Sequence, residues 1–162
     1  MQKVKTVVLK LGGSFLLANG NANLESIKEM ASTCRSILSK EAKLIVVVGG
    51  GVPARNYISA ASALGASNGV KDHFGILVSR LNARLFIEAL GDDLTLSEPA
   101  ETLQEVRTFL QQKPVVVLGG LQPGQSTTAV AALCAEYVKA DQVIFSTDVD
   151  GKKKIFLKYL FS

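Results

Sequence analysis

At 162 residues and 48% hydrophobic, the chain has the size and composition of one soluble domain with a substantial core. No apolar run reaches the roughly 18 residues of a membrane span, and the opening MQKVKTVVLKLGG enters a strand pattern without signal-peptide architecture, so a cytoplasmic protein is expected. The formal charge of +4 does not describe a nucleic-acid surface: Lys152, Lys153, Lys154 and Lys158 fall in the last eleven positions and leave fourteen basic residues to balance fourteen acidic ones.

In chain order, residues 4 to 11 (VKTVVLKL) read as a first strand that stops at Gly12, Gly13 and Ser14. Lys10 stands at the carboxyl end of this strand, where an ammonium group either points into the crevice in which open α/β sheets bind ligands or snorkels to water. A helix follows over residues 23 to 39, with Leu24, Ile27, Met30, Ala31, Cys34, Ile37 and Leu38 on one stripe. KLIVVV, residues 43 to 48, is a second buried strand, stopped by Gly49, Gly50 and Gly51. Three glycines let a backbone approach a ligand closely, and the helix after them offers an N-terminus, with Arg55 one turn in.

Residues 69 to 90 carry a longer helical pattern. Its apolar positions are Val70, Phe74, Leu77, Val78, Leu81, Leu85, Ile87 and Leu90, with Arg80, Asn82 and Arg84 assigned to the exposed side. Asp72 near its start complements the helix dipole. His73, the one histidine, has no cysteine or carboxylate at ligand spacing and reads as structural, and no metal site is expected. A short extended piece at residues 94 to 96 and an amphipathic helix at 99 to 111 lead to Lys113 and Pro114. Cys34 and Cys134 lie in apolar helical contexts and suit buried free thiols.

Residues 115 to 151, VVVLGGLQPGQSTTAVAALCAEYVKADQVIFSTDVDG, form a βαβ unit: a strand at 115 to 118, a glycine turn, a helix at 127 to 139 and a strand at 142 to 146 that breaks at TDVDG. Residues 119 to 126 follow a P-loop pattern except that Gln125 replaces the lysine. A loop that offers only N–H and hydroxyl donors, those of Ser126, Thr127 and Thr128 included, suits a less highly charged phosphate such as a monophosphate acceptor. The plainer alternative is a glycine-rich strand-to-helix turn with Ser126 as N-cap. Three turns, LGGS, VGGG and GGLQPGQST, thus end three parallel strands on one rim. Their convergence suggests phosphoryl transfer between a donor and an acceptor.

VVLKLGGS, VVVGGG, SRLNARLFIEAL, GGLQPGQSTTAVAALCAEYVKAD and STDVDG together resemble the amino acid kinase superfamily, and within it the archaeal-type uridylate (UMP) kinases, over residues 4 to 151 in order. Isopentenyl phosphate kinases tend to carry a histidine after the second glycine turn, where this chain reads GVPARNYI. The resemblance implies a three-layer α/β/α sandwich with a mainly parallel sheet, its C-terminal part missing. It implies transfer of the ATP γ-phosphate to UMP, giving UDP for pyrimidine biosynthesis, with Mg2+ accompanying ATP and with homohexamers; no nucleic acid or membrane partner is expected.

By resemblance, Lys10 spans the transferred phosphoryl group, and Gly13, Ser14, Gly51 and Arg55 line the donor phosphates. Thr147 and Asp148 fall where ATP base and ribose are contacted. Gly50 touches the UMP phosphate, Asp72 holds the acceptor ribose, and Leu121, Gln122, Pro123, Gly124, Gln125, Ser126 and Thr127 form the loop that encloses UMP. Many relatives place an aspartate where this chain has Ala129. Relatives also continue past VDG with a tyrosine and an Asp-Pro, whereas this chain reads KKKIFLKYLFS, with Lys153 at the tyrosine position. The expectation is a kinase domain over residues 1 to 151 with an aberrant basic tail at 152 to 162, which leaves apolar sheet surface uncovered. Such a chain would bind UMP yet phosphorylate it feebly, or act as a binding or assembly remnant. A kinase for another small phosphate or carboxylate is the alternative within the same fold.

Overall fold

The structure is a computed structural model that describes residues 4–38, 42–149 and 152–160, with residues 147–149 and 152–160 given as backbone. Five strands form the main sheet in the order β5-β4-β1-β6-β7. β1 (Lys5–Leu11), β4 (Ala42–Val48), β5 (Val115–Leu118) and β6 (Gln142–Val149) are parallel, and β7 (Lys152–Leu160) is antiparallel to β6. Both faces of β1, β4 and β5 are covered, as expected for parallel strands that read as continuous Val/Ile/Leu runs.

Because side chains alternate along a strand, one face carries Val7, Leu9 and Leu11 with Leu44, Val46 and Val48, packed against α2 (Leu24–Leu38) and α4 (Asn68–Leu90). The other carries Val8, Ile45 and Val47 under α5 (Leu103–Gln112) and α6 (Thr127–Val138). This is the expected α/β/α sandwich. Among the described residues of β6, Ile144 and Phe145 are half-buried, one packed against each face's core. β1, β4 and β5 each run into a helix over the same rim, whereas β6 leads into β7. The chain moves from β1 outward through β4 to β5 and then crosses to β6 on β1's other side, so the crevice created by this reversal opens beside β1.

Several elements differ from the sequence reading. After β1 come a one-turn helix, α1 (Gly13–Leu16), and a hairpin of β2 (Leu17–Ala18) and β3 (Asn21–Ala22) turned at Asn19 (φ 51) and Gly20 (φ 84). Asn-Gly with both φ positive is the two-residue hairpin signature, and it was present in LLANGN. Residues 94 to 96 are turn and bend rather than a strand, and α5 begins at Leu103 because the Thr102 hydroxyl accepts from Glu105 N at 3.1 Å; Ala100 before it bridges to Leu118. Leu24, placed on the core stripe of α2, is 63% exposed because it opens the helix before the stripe meets the sheet. β6 runs on through Thr147 and Asp148 to Val149, since β7 supplies backbone pairing where apolar patterning ends. Asp150 and Gly151 lie outside the described residues, as does the last residue expected for α2.

The largest correction concerns α4 (Asn68–Leu90). Its buried stripe is Ile76, Ser79, Asn82, Ala83, Phe86, Ile87 and Leu90, so Asn82, expected to be exposed, is 5% exposed. Leu77, Leu81 and Leu85, expected in the core, project outward, with Leu81 69% exposed. Two polar side chains hold buried places because they bond the backbone of the glycine turns, and that rotates the leucines away from the sheet. α3 (Gly51–Ala63) lies alongside α4, with Tyr57 stacked on Phe74 at 6.0 Å between centroids. Among the described residues no helix is long and apolar enough to cross a membrane.

Candidate active site

The first two turns are packed backbone on backbone. A methyl group on Gly13 would stand 2.2 Å from Gly51 N, and Gly49 N donates to Leu11 O at 2.8 Å. Gly51 opens α3 at φ 66, a conformation that a side chain resists. These two glycines are therefore explained by turn meeting turn. The third turn joins them through Thr127, whose Oγ1 lies 3.5 Å from where a Cβ on Gly49 would stand. The expected convergence of three turns on one rim is what the chain builds.

Lys10 sits inside this convergence. It shares with Val8 the sheet face that α6 covers, and a Cβ placed on Gly12 would stand 4.0 Å from its Nζ and 3.4 Å from Ser14 Oγ. The side chain is half-buried, and removal from water pulls its pKa below the ordinary lysine value of 10.5. An anion bound beside it would repay that desolvation. Gly13 is buried and Ser14 exposed, both at the start of α1.

A cleft of about 400 Å³ brings Gly50, Gly51, Arg55 and Asp72 together with Gln125, Ser126 and Thr127. Gly51 and Arg55, which the resemblance assigns to the donor phosphates, thus share a wall with acceptor residues. Ser126 caps α6 by accepting from Ala129 N at 3.1 Å, which confirms it as N-cap and leaves the first N–H groups of α6 at the cleft. Gln125 has its amide oxygen buried with no partner among the described residues, an acceptor that a ligand donor would satisfy.

Leu121, Gln122, Pro123 and Gly124 do not line the cleft. After Leu121, residues 122–125 form a turn closed by Gln125 N donating to Gln122 O at 3.3 Å, with Pro123 second and Gly124 third at φ 82, the type II arrangement. Asp72 accepts from Gly124 N at 2.7 Å, so this carboxylate ties the turn to α4. The backbone of Thr147 and Asp148 continues β6 toward the same rim; their side chains lie outside the described residues.

Sequence reasoning missed the side chains that hold the turns. Asn82 Nδ2 donates to Gly49 O at 2.9 Å and to Gly50 O at 3.2 Å. Ser79 Oγ donates to Ile76 O at 2.8 Å and accepts from Gly120 N at 2.7 Å, while a methyl on Gly119 would stand 2.6 Å from Arg80 N. The signal was a three-residue spacing: 76, 79 and 82 lead straight into the stripe of 83, 86 and 90. Among the described residues no group of three or more His, Cys, Asp or Glu could hold a metal ion.

The model of the amino acid kinase family matches residues 5–151. The uridylate kinase of Methanosarcina acetivorans is 46% identical over 145 residues, covering 90% of this chain and 60% of the relative. The crystal structure of uridylate kinase from Archaeoglobus fulgidus superposes with a TM-score of 0.80 at 43% identity, covering 89% of this chain and 63% of that one. UMP kinase from Bacillus anthracis shares the fold at 18% identity, with a TM-score of 0.75 over 91% of this chain and 66% of that one. The chain spans about 60% of the length of the curated relatives it matches.

Proposed function

The chain belongs to the amino acid kinase family, and from that premise we propose that it binds UMP as phosphoryl acceptor in the transfer of the ATP γ-phosphate, yielding UDP and ADP. The observation that carries the reading is the meeting of three glycine turns and the Lys10 ammonium on one sheet rim. The relatives named uridylate kinase and the unpartnered Gln125 oxygen in the cleft support the choice of acceptor.

In this reading a UMP phosphate oxygen forms a bond to the γ-phosphorus as the bond to the bridging oxygen of ADP breaks. The acceptor is already an anion at neutral pH, so no general base is required. The chain's own part is positioning and electrostatics. Gly50, Ser126, Thr127 and the α6 N-terminus hold the acceptor phosphate, Asp72 the ribose, and Leu121 to Gln125 close over the nucleoside. Gly13, Ser14, Gly51 and Arg55 face the donor phosphates, with Thr147 and Asp148 toward the ATP base and ribose. Lys10 neutralises charge on the transferred group. Mg2+, expected with ATP, would offset the charge of the donor phosphates.

We place the protein in the cytoplasm and propose that it self-associates, in hexamers as the resemblance implies. Leu77, Leu81, Leu85 and Tyr57 are exposed apolar side chains on α3 and α4, and Tyr57, Leu81 and Leu85 line a cleft of about 560 Å³.

Calorimetric titration with UMP, CMP, AMP and isopentenyl phosphate, followed by a coupled ADP-release assay, tests the reading. UMP is expected to bind most tightly at one site per chain. Preference for another acceptor, or no binding of any, would overturn it. UMP binding without turnover would locate the acceptor half of the site here and deny the chain the full reaction.

A further inference from the structure

The Arg80 guanidinium is committed to the acceptor loop. From the middle of α4 its Nε donates to Gly120 O at 3.0 Å and its Nη2 to Leu121 O at 3.4 Å, while Nη1 donates to Glu101 Oε2 at 2.7 Å. These bonds all leave its own helix, two of them for consecutive carbonyls of a single loop. A planar fork matches that pair of acceptors, whereas a lysine ammonium has no such geometry. Around it Ser79 takes the Gly120 N–H, and Gly119 and Gly120 lie too close to α4 for any side chain. At the far end of the loop Asp72 takes the Gly124 N–H.

We propose that Arg80 is a positioning residue for the acceptor, holding the root of the 119–125 loop in its binding conformation before a nucleotide arrives. Across a trans peptide the carbonyl and the following N–H point in opposite directions, so fixing the Gly120 and Leu121 carbonyls on α4 turns the Leu121 and Gln122 amides away from it. Glu101 fixes the third nitrogen and thereby the rotamer, and Asp72 anchors the tip. Preorganisation of this kind raises affinity by removing the ordering cost from the binding step. The inference rests on the reading of this loop as the UMP loop. It adds a residue that need not touch UMP at all.

The test uses the full 162-residue chain and its Arg80→Met, Arg80→Lys and Glu101→Gln variants, read by UMP calorimetry, amide hydrogen exchange and thermal melting. Arg80→Met is expected to weaken UMP binding by about tenfold or more and to speed exchange at Gly120, Gly124 and Gln125 by a similar factor, with Tm and the exchange of β1, β4 and β5 unchanged. Arg80→Lys should recover only part of the affinity, and Glu101→Gln should lose less than Arg80→Met. Unchanged loop exchange in Arg80→Met overturns the proposal, and so does a loss of affinity that comes with a lower Tm and faster exchange across the sheet. A wild-type chain that ignores UMP would overturn the acceptor reading instead, and the loop exchange of Arg80→Met would still decide whether the brace exists.

Discussion

Asn82 holds the middle turn from inside α4, and replacing it separates a donor role from simple packing. In Asn82→Ala the Gly49 carbonyl loses a buried bond, which costs about 1–3 kcal/mol, and the part-buried Gly50 carbonyl loses one worth about 0.5–1.5 kcal/mol because water replaces it incompletely. The sum is roughly 2–4 kcal/mol, or a fall in Tm of about 5–15 °C for a chain of this size. Asn82→Asp keeps the shape but sets a carboxylate against two carbonyl oxygens at a position 5% exposed, so it should be worse than alanine at pH 7. Its carboxyl would also have a raised folded pKa. Stability would then be greatest below the ordinary aspartate value of about 3.9 and would fall as pH rises through the folded value. Urea and thermal melts at pH 4 and pH 7 measure both effects. Asn82→Ala within about 0.5 kcal/mol of wild type, or Asn82→Asp as stable as wild type at pH 7, would refute the assignment of Asn82 as the donor that fixes this turn.

Three further outcomes are expected. Lys10→Met should abolish transfer and stabilise the unliganded fold: burial lowers the native lysine pKa, so below it wild type carries the cost of a desolvated charge. As pH climbs through that native value toward 10.5 the unfolded chain holds more protons and wild type gains, so urea melts at pH 7 and pH 10.5 should show the variant's advantage shrinking; parallel stabilities would contradict this. Leu81→Glu should reduce the assembled mass measured by light scattering while leaving far-UV circular dichroism intact, and an unchanged mass would remove the α4 face as the contact. Cys34 and Cys134, whose thiols burial pushes up to about 12, should resist Ellman's reagent at pH 8 until the chain is unfolded, and reaction in the native state would place them elsewhere than in the core.

Much of the sheet was legible because burial on both faces leaves an unmistakable signature: VVVL at residues 115 to 118 is β5 to the residue, and KLIVVV all but its first position of β4. Ser126 was legible as a cap because a hydroxyl before an apolar run has few other uses. The three turns could be placed on one rim from strand polarity alone. Hydropathy failed where burial is decided by hydrogen bonding. On α4, Ser79 and Asn82 outrank three leucines for inward places because turn carbonyls and amides need partners there, and no count of apolar residues registers that need. Arg80 was read as a surface cation for the same reason. The glycines were read as room for a ligand, while Gly13, Gly51 and Gly119 are required by backbone packed on backbone.

A crystal structure of the chain with UMP would probe the central claim most directly. The account predicts the acceptor phosphate between the Gly50 turn and the Ser126 and Thr127 end of α6, with the Lys10 ammonium next to it and the Gly120 and Leu121 carbonyls still on Arg80. A phosphate bound away from that rim, or turns that separate to admit it and leave Lys10 behind, would contradict the account.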